Sequence, residues 1–528
     1  MELFAHQKEG IAFLKEKKKV ILADEMGLGK TRQAILAARE ENVGSVVVIC
    51  PASLKTNWER EILAVAPDDD VFVIQSGKLR DIPAAKWIIV NYDMLGKYYE
   101  PLASMKALGM IGAGICDEAH YIKGKKAVRS KLTLMLLDGL PVVYMLTGTP
   151  IMNRPAEMLN LLKAVGHPVA EKTSFFEKRY CDAYMETIIR RGRPAIRFWN
   201  SSGASNLNEL REITRDCLLR RMKKDVLDLP EKMISVRFCE LSPEQKKGYD
   251  HAWEQYLEWF KAGLDGTLPE GESEISCSRC SRRLTDDEVG RGGVQGGSKN
   301  ALGPDHDDCY KCSTIERTVS AQQLVELGKL KQLCSLSKVS RMAADIEDAV
   351  AAGEKVIVFT QYTNTLKEIA AACRSIRVET GAPSAYGKIP TKAIKVATLS
   401  GQDTQTSRQA AVDAFQNDPE TRVFVSNMKA GGVGLTLTQA RIVMFADMEW
   451  SPEIHAQAED RAHRIGQEGT VNVYYYVMEK TIEEDIVDLL EAKRRIIKEV
   501  MEGSVERMSG SMAADFLARL KQRLGKTR

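Results

Sequence analysis

Val20-Ile21-Leu22-Ala23-Asp24-Glu25-Met26-Gly27-Leu28-Gly29-Lys30-Thr31 is the stretch that decides the fold. A short apolar, β-rich run ends in a glycine-bearing turn, and the turn opens a run with helical composition. Gly27 and Gly29 let the backbone bend so that successive N–H groups point at phosphate oxygens. The helix start adds its positive end, Lys30 reaches the terminal phosphates of ATP, and the Thr31 hydroxyl is placed to ligate Mg²⁺. The general pattern G-x-x-x-x-G-K-[ST] is met except at its first position, where Asp24 stands. Strand, phosphate loop and helix in this order predict an α/β sheet with its nucleotide at the strand ends.

Working outward, apolar runs alternate with helical stretches over 20–140: 46–50, 71–74, 87–90, 115–116 and 142–146. Continuous rather than alternating hydrophobicity indicates parallel strands covered on both faces. The pattern recurs over 355–478, so the expected architecture is two RecA-like parallel-sheet lobes with helical protrusions and a small zinc-binding insertion. Lobe 1 is expected over 1–235, with a helical protrusion at about 151–218. Lobe 2 is expected over 236–490, with a helical protrusion at about 240–352 that the insertion (about 264–316) interrupts. A helical extension is expected over 491–528. In 243–262 the aromatics Tyr249, Trp253, Tyr256 and Phe260 recur at helical spacing, and 481–497 reads as an amphipathic helix on lobe 2.

The chain has 528 residues, 44% hydrophobic and 28% charged, with a net charge of +3. That length exceeds one core, and near-neutrality confines any nucleic-acid surface to local patches. No apolar run approaches a membrane span and the start lacks a secretory apolar region, so an intracellular protein is expected. Basic clusters such as 123–126, 190–197 and 220–224 each read as solvated faces. Of eleven cysteines, Cys50, Cys116, Cys181, Cys217, Cys239, Cys334 and Cys373 sit among apolar residues and read as buried free thiols.

The other four are Cys277-Ser278-Arg279-Cys280 and Cys309-Tyr310-Lys311-Cys312, with zinc-knuckle spacing and 28 residues between the pairs. Lengthening that flexible loop beyond the usual spacing costs under ~0.6 kcal/mol, against ~10–16 kcal/mol of apparent zinc binding. A closed structural Zn²⁺ site on Cys277, Cys280, Cys309 and Cys312 is therefore expected, with His306 the one nearby substitute and a redox pair or coincidence as alternatives. Asp117-Glu118-Ala119-His120 follows another apolar run. If successive strand residues point to opposite sides, Asp117 holds Mg²⁺ while Glu118 activates the attacking water. An acidic helix start is the plain alternative.

Taken together, the motifs resemble the SNF2 family of superfamily 2 helicase-like ATPases. The matching blocks, in family order, are 4–7, 24–31, 50–54 with Asn57-Trp58, Asn91-Tyr92, 117–120, Leu146-Thr147-Gly148-Thr149-Pro150, Leu219-Arg220-Arg221, 430–435 and Gln457-Ala458-Glu459-Asp460-Arg461-Ala462-His463-Arg464-Ile465-Gly466-Gln467. Asp24 is the family's own residue there. Stretches 154–157, 179–183 and 201–210 are similar to the annealing-helicase, fork-remodelling branch, while Asn427-Met428-Lys429 departs from the Ser/Thr usual before Ala-Gly-Gly.

The resemblance implies that Gln7 reads adenine, that Gly434 and Gln457 complete the nucleotide site, and that Arg461 and Arg464, three apart on one helix face, reach the γ-phosphate across the cleft. Candidate DNA contacts are Ser53, Lys55, Asn91 and Tyr92 on lobe 1 and Gln361, Lys429 and Gly431 on lobe 2, with plain loop capping the equal alternative for each. The implied activity is that of a DNA-dependent ATPase and translocase on double-stranded or branched DNA, monomeric, remodelling or reannealing its substrate. Two readings compete. A strand-separating helicase on DNA or RNA is disfavoured because no wedge hairpin can be read. A non-enzymatic, nucleotide-gated binding module would need a defective catalytic residue, yet Lys30, Asp117, Glu118, Arg461 and Arg464 are all present.

Overall fold

The computed structural model describes residues 3–41, 43–75, 77, 79–125, 127–148, 155–190, 193–201, 203–265, 327–379, 391–431 and 435–501. The first lobe contains β1 (Lys19–Leu22), β2 (Ser45–Cys50), β3 (Val71–Val73), β4 (Trp87–Asn91), β5 (Ile111–Cys116), β6 (Val142–Leu146), the hairpin strands β7 (Tyr184–Arg190) and β8 (Arg193–Asn200), and β9 (Leu218–Leu219). Its sheet has the order β3-β4-β2-β5-β6-β1-β9, parallel throughout. The apolar runs serve two cores at once. Val46, Val48 and Cys50 pack on one face while Val47 and Ile49 pack on the other, as a double-covered parallel strand requires. All seven cysteines expected to be buried thiols are free and buried.

The second lobe contains β10 (Lys232–Cys239), β11 (Val356–Thr360), the short antiparallel pair β12 (Arg377–Glu379) and β13 (Thr391–Ala393), β14 (Lys395–Leu399), β15 (Thr421–Asn427), β16 (Ile442–Phe445) and β17 (Val471–Met478). Its sheet runs β10-β17-β16-β11-β15-β14, again all parallel. Because β10 starts at Lys232, the lobe-2 sheet begins ahead of the expected boundary at 235/236.

Two expectations change. The insert over 151–218 is not wholly helical: between helices Thr173–Tyr180 and Leu207–Ile213 it carries the β7–β8 hairpin. The hairpin is tied down where Trp199 Nε1 donates to Glu177 Oε2 at 2.8 Å. Helix Pro243–Asp265 does not protrude freely either. Tyr249 and Tyr256 enter the lobe-2 core, and Tyr249 Oη accepts from Ile482 N at 2.9 Å. Burial of about 150–250 Å² per aromatic side chain makes the folded-down position favourable. Helix Ile482–Met501 packs on the same core through Ile482, Ile486, Leu489 and Leu490, as its amphipathic spacing predicts.

Candidate nucleotide site between the lobes

At one edge of the first sheet the strands run β5-β6-β1-β9, all pointing the same way. Their carboxyl ends therefore deliver four loops to one place, the position where ligands sit in open α/β sheets. β1 delivers the phosphate loop, β5 delivers Asp117 and Glu118, β6 delivers Thr147-Gly148, and β9 delivers Arg220-Arg221.

In the phosphate loop Gly27 and Gly29 have φ of +86° and +76°, a region other residues enter only with strain. Gly29 is the left-handed N-cap of helix Lys30–Glu40. The lysine folds back over the loop, with Nζ 2.8 Å from Asp24 O and 3.2 Å from Glu25 O. Burial pulls the Lys30 ammonium below its usual pKa, while Glu118, Asp24 and Asp117 pull it back. Thr31 lies half-buried at the helix head. Gln7 rests on the loop: a Cβ on Gly29 would stand 2.4 Å from its Nε2. Asp24 also finds its reason. It is fully buried, and Arg221 grips it with a fork of 2.5 and 3.0 Å. The glycine of the general motif is replaced by an anchor for the segment that leaves the lobe.

The carboxylates are separated by a turn, not by strand alternation. β5 stops at Cys116, and Glu118 sits in the left-handed region at φ 48°, ψ 52°. Such a conformation costs a β-carbon-bearing residue about 1–2 kcal/mol, a strain that clusters at functional sites. Asp117 Oδ1 accepts from Glu118 N at 2.9 Å and Oδ2 accepts from Trp58 Nε1 at 2.8 Å. Trp58, fully buried, orients the group expected to hold Mg²⁺. Burial beside Glu118 raises the Asp117 pKa, and a cation beside it would offset that. Burial alone would raise Glu118 too, but His120, Lys30 and Arg461 outweigh it and hold Glu118 below its usual value. Glu118 Oε2 lies 3.3 Å from His120 Nδ1 yet accepts no aligned hydrogen bond from the protein. A general base for water needs that free lone pair. Donors and charge thus suit Mg²⁺·ATP.

Lobe 2 closes the site. Helix Pro452–Glu459 has ended before Arg461 and Arg464, so these arginines occupy the following turn and not a shared helix face. They converge because both guanidiniums donate to Leu435 O, each at 3.2 Å, while Arg461 Nε donates to Gln457 O at 3.1 Å. The Gln457 carbonyl thus helps to hold Arg461. Burial, with Arg464 alongside, disfavours the Arg461 charge, whereas Glu118 and Asp117 across the cleft support it. A Cβ on Gly27 would stand 3.1 Å from Arg464 Cβ. The phosphate loop and the arginine turn therefore face one another. A bound polyphosphate would relieve the repulsion between two desolvated guanidiniums.

The residues expected to touch DNA behave differently. Lys55 is buried and donates to Ile74 O at 2.8 Å. Asn91 is buried, and Tyr92, also buried, donates from Oη to Asp117 O at 2.8 Å. Lys55 and Tyr92 thus bridge segments within lobe 1. Ser53 is half-exposed beside a groove of about 390 Å³ between the lobes, which Tyr92, Tyr121, Gly401, Gln405 and Arg408 also line. Gln361 is half-buried with Oε1 accepting from Lys331 at 3.2 Å. Gly431 is buried, and a Cβ there would meet Ser426 Oγ at 2.5 Å. Gly434, the Lys429 side chain, Cys277, Cys280, Cys309 and Cys312 lie outside the described residues. Trp58, Arg221 and Lys223 were not nominated as site residues. The last two belong to the basic cluster 220–224, which is only partly a solvated face: Lys224 is exposed, but Lys223 is 5% exposed and Arg221 turns to Asp24.

The SNF2-related domain model matches residues 6–287, and the helicase conserved C-terminal domain model matches 331–466. The chain is 28% identical over 519 residues to the DNA annealing helicase and endonuclease ZRANB3 of Mus musculus, covering 97% of this chain and 42% of that protein. It is 27% identical over 513 residues to the SWI/SNF-related matrix-associated actin-dependent regulator of chromatin subfamily A-like protein 1 homolog of Caenorhabditis elegans, covering 94% and 62% respectively. The chain thus spans about two fifths of the length of the first of these relatives. The solved Sulfolobus solfataricus SWI2/SNF2 ATPase core in complex with dsDNA is 24% identical, with 96% of this chain and 94% of that chain covered and a TM-score of 0.38. With one family model spanning more than half of its residues and a helicase C-terminal model following it, this chain belongs to the SNF2-related family of helicase-like ATPases.

Proposed function

We propose that this chain is an ATP hydrolase that moves along double-stranded or branched DNA and remodels or reanneals it, with both halves of the catalytic site supplied by one monomer. The carrying observation is the approach of the arginine turn to the phosphate loop at Gly27 across the interlobe cleft, with the charges of Arg461 and Glu118 acting on one another. Thr31 and Asp117 would hold Mg²⁺, which when bound neutralises phosphate charge. Lys30 and the loop N–H groups bind and orient the polyphosphate, and Glu118 takes a proton from the attacking water at its unengaged oxygen. Arg461 and Arg464 bind the charge that develops on the transferred group. These groups meet only when the lobes are together, so turnover is tied to lobe motion, and lobe motion to a shift of grip on the duplex. The names of the relatives, an annealing helicase among them, support DNA as the substrate. The groove at Ser53, Gly401 and Arg408, which Tyr92 also lines, supplies candidate backbone contacts in place of Lys55 and Asn91.

A panel of ATP turnover with duplex, branched and single-stranded DNA and RNA tests this. Duplex or branched DNA is expected to stimulate most, and stimulation by RNA alone would overturn it. The β7–β8 hairpin favours a second reading, strand separation, which release of a labelled strand from a partial duplex would reveal. A structural Zn²⁺ on Cys277, Cys280, Cys309 and Cys312 completes the proposal. Cys277→Ser is expected to release zinc and loosen 264–316 while basal hydrolysis persists, and complete inactivation would contradict a peripheral insert.

A further inference from the structure

The segment joining the lobes runs between the two halves of the nucleotide site and is fastened to both. On the lobe-1 side the fastening recurs at alternate residues, as an extended chain allows. Ala23 N donates to Leu219 O at 2.7 Å, Glu25 N donates to Arg221 O at 2.9 Å, and Lys223 N donates to Glu25 Oε2 at 2.7 Å. On the lobe-2 side Pro230 O lies 2.8 Å from His463 Nε2, and Lys232 pairs with Glu459 at 2.8 Å. Among the described residues of the connector, Lys223 hydrogen-bonds to both sides. Its backbone is held by the phosphate-loop residue Glu25, while its ammonium lies 2.7 Å from Asp460 Oδ1 and donates to His463 O at 2.8 Å. Its side chain covers Gly27, where a Cβ would come within 3.3 Å of Lys223 Cε. Asp460 immediately precedes Arg461, and His463 immediately precedes Arg464.

We propose that Lys223 is a positioning residue, an interlobe latch that sets Arg461 and Arg464 over the phosphate loop by gripping Asp460 and the His463 carbonyl from the connector. The proposal rests on the ATPase reading and adds to it a residue that acts through the arginine turn. Two features suit the role. The ion pair is desolvated on both sides, with side-chain exposures of 6% and 8%, so salt screens it little. Its second acceptor is a backbone carbonyl, so the grip fixes the path of the turn as well as one side chain. Opening the cleft would leave Lys223 with the phosphate loop and Asp460 with the arginine turn, each missing its partner. The latch therefore favours the closed arrangement before any nucleotide arrives.

The test compares Lys223→Met, Asp460→Asn, the double variant, and the charge exchange Lys223→Glu with Asp460→Lys, all in the full chain. Duplex-stimulated kcat is expected to fall on the order of 10²-fold in each single variant, the scale of a misplaced catalytic group, while affinity for a fluorescent ATP analogue stays within about two-fold of wild type. The double variant should lose no more than either single one, and the charge exchange should recover part of the loss. Because wild-type turnover alone tests the ATPase reading, small-angle scattering supplies an independent readout of the latch. Without nucleotide, both single variants should have a larger radius of gyration than wild type, and the charge exchange should return toward it. Unchanged kcat and compactness would overturn the proposal. So would a loss of nucleotide affinity matching that of Lys30→Ala, which would make Lys223 a phosphate ligand. Additive single effects would overturn it as well.

Discussion

The two sides of lobe 1 that its motifs line are unlike. On the nucleotide side, nominated residues come together: Gln7 rests on Gly29, Arg464 stands against Gly27, and the charges of Glu118 and Arg461 act on one another. On the side nominated for DNA, Lys55 and Tyr92 turn inward to Ile74 O and Asp117 O. The difference follows from what each motif encodes. Phosphate binding uses backbone conformation and fixed spacing, which glycines, a helix start and a Lys-Thr pair specify directly. A DNA contact needs a side chain on the outer face, and the residue type is silent about its direction. A lysine after a strand serves equally well as a bridge between loops. Tyr92 and Trp58 now link the two sides, since both brace Asp117 from the region expected to meet DNA.

Five substitutions test this contrast. The largest effect is expected from Arg461→Ala, with duplex-stimulated turnover falling by ~10³–10⁵, and from Glu118→Gln, which should abolish turnover while ATP binding persists. Steady-state kinetics beside an equilibrium binding measurement would check both, and a comparable loss of ATP affinity would count against the assigned roles. Gly29→Ala comes next. The left-handed φ of +76° and the 2.4 Å approach to Gln7 Nε2 should lower nucleotide affinity about ten-fold or more, from ~1–2 kcal/mol of backbone strain plus displacement of Gln7. Lys55→Met should reduce unfolding free energy by about 1–2 kcal/mol, since a buried carbonyl loses its charged donor. It should leave the salt dependence of DNA binding unaltered; a salt slope smaller by about one would restore Lys55 to the list of phosphate contacts. The smallest effect belongs to Tyr92→Phe, about 1 kcal/mol of stability from the bond to Asp117 O, with turnover changed a few-fold at most.

Much of this molecule is readable before folding. The continuous apolar runs at 46–50 and 142–146 mark doubly covered strands, and the phosphate loop names its own residues. What escapes is what depends on distant partners. Asp24 looks out of place until Arg221, far along the chain, closes on it. The cluster 220–224 looks like a solvated face because nothing local says that it lies between two lobes. The two-residue strand β9 is too short to show periodicity. Strand alternation suggested that Asp117 and Glu118 point apart, but the strand ends first and a left-handed turn does the work. A shared helix face was likewise the wrong reason for Arg461 and Arg464, because the helix ends at Glu459 and the Leu435 carbonyl gathers them. One feature was within reach: 184–200 alternates β-favouring residues around Arg191-Gly192, a hairpin signal masked by the expectation of a helical protrusion.

In the proposed site, Lys30 and the arginines at 461 and 464 surround one ATP and act on its transition state. Affinity for ADP with aluminium fluoride, measured in wild type and Arg461→Ala with duplex DNA and Mg²⁺, tests it most directly. Tight trapping by wild type and a loss of at least about 100-fold in the variant, with ATP affinity nearly unchanged, is the result expected if Arg461 binds charge that exists only in the transition state. Equal trapping by both proteins would contradict a site completed across the cleft.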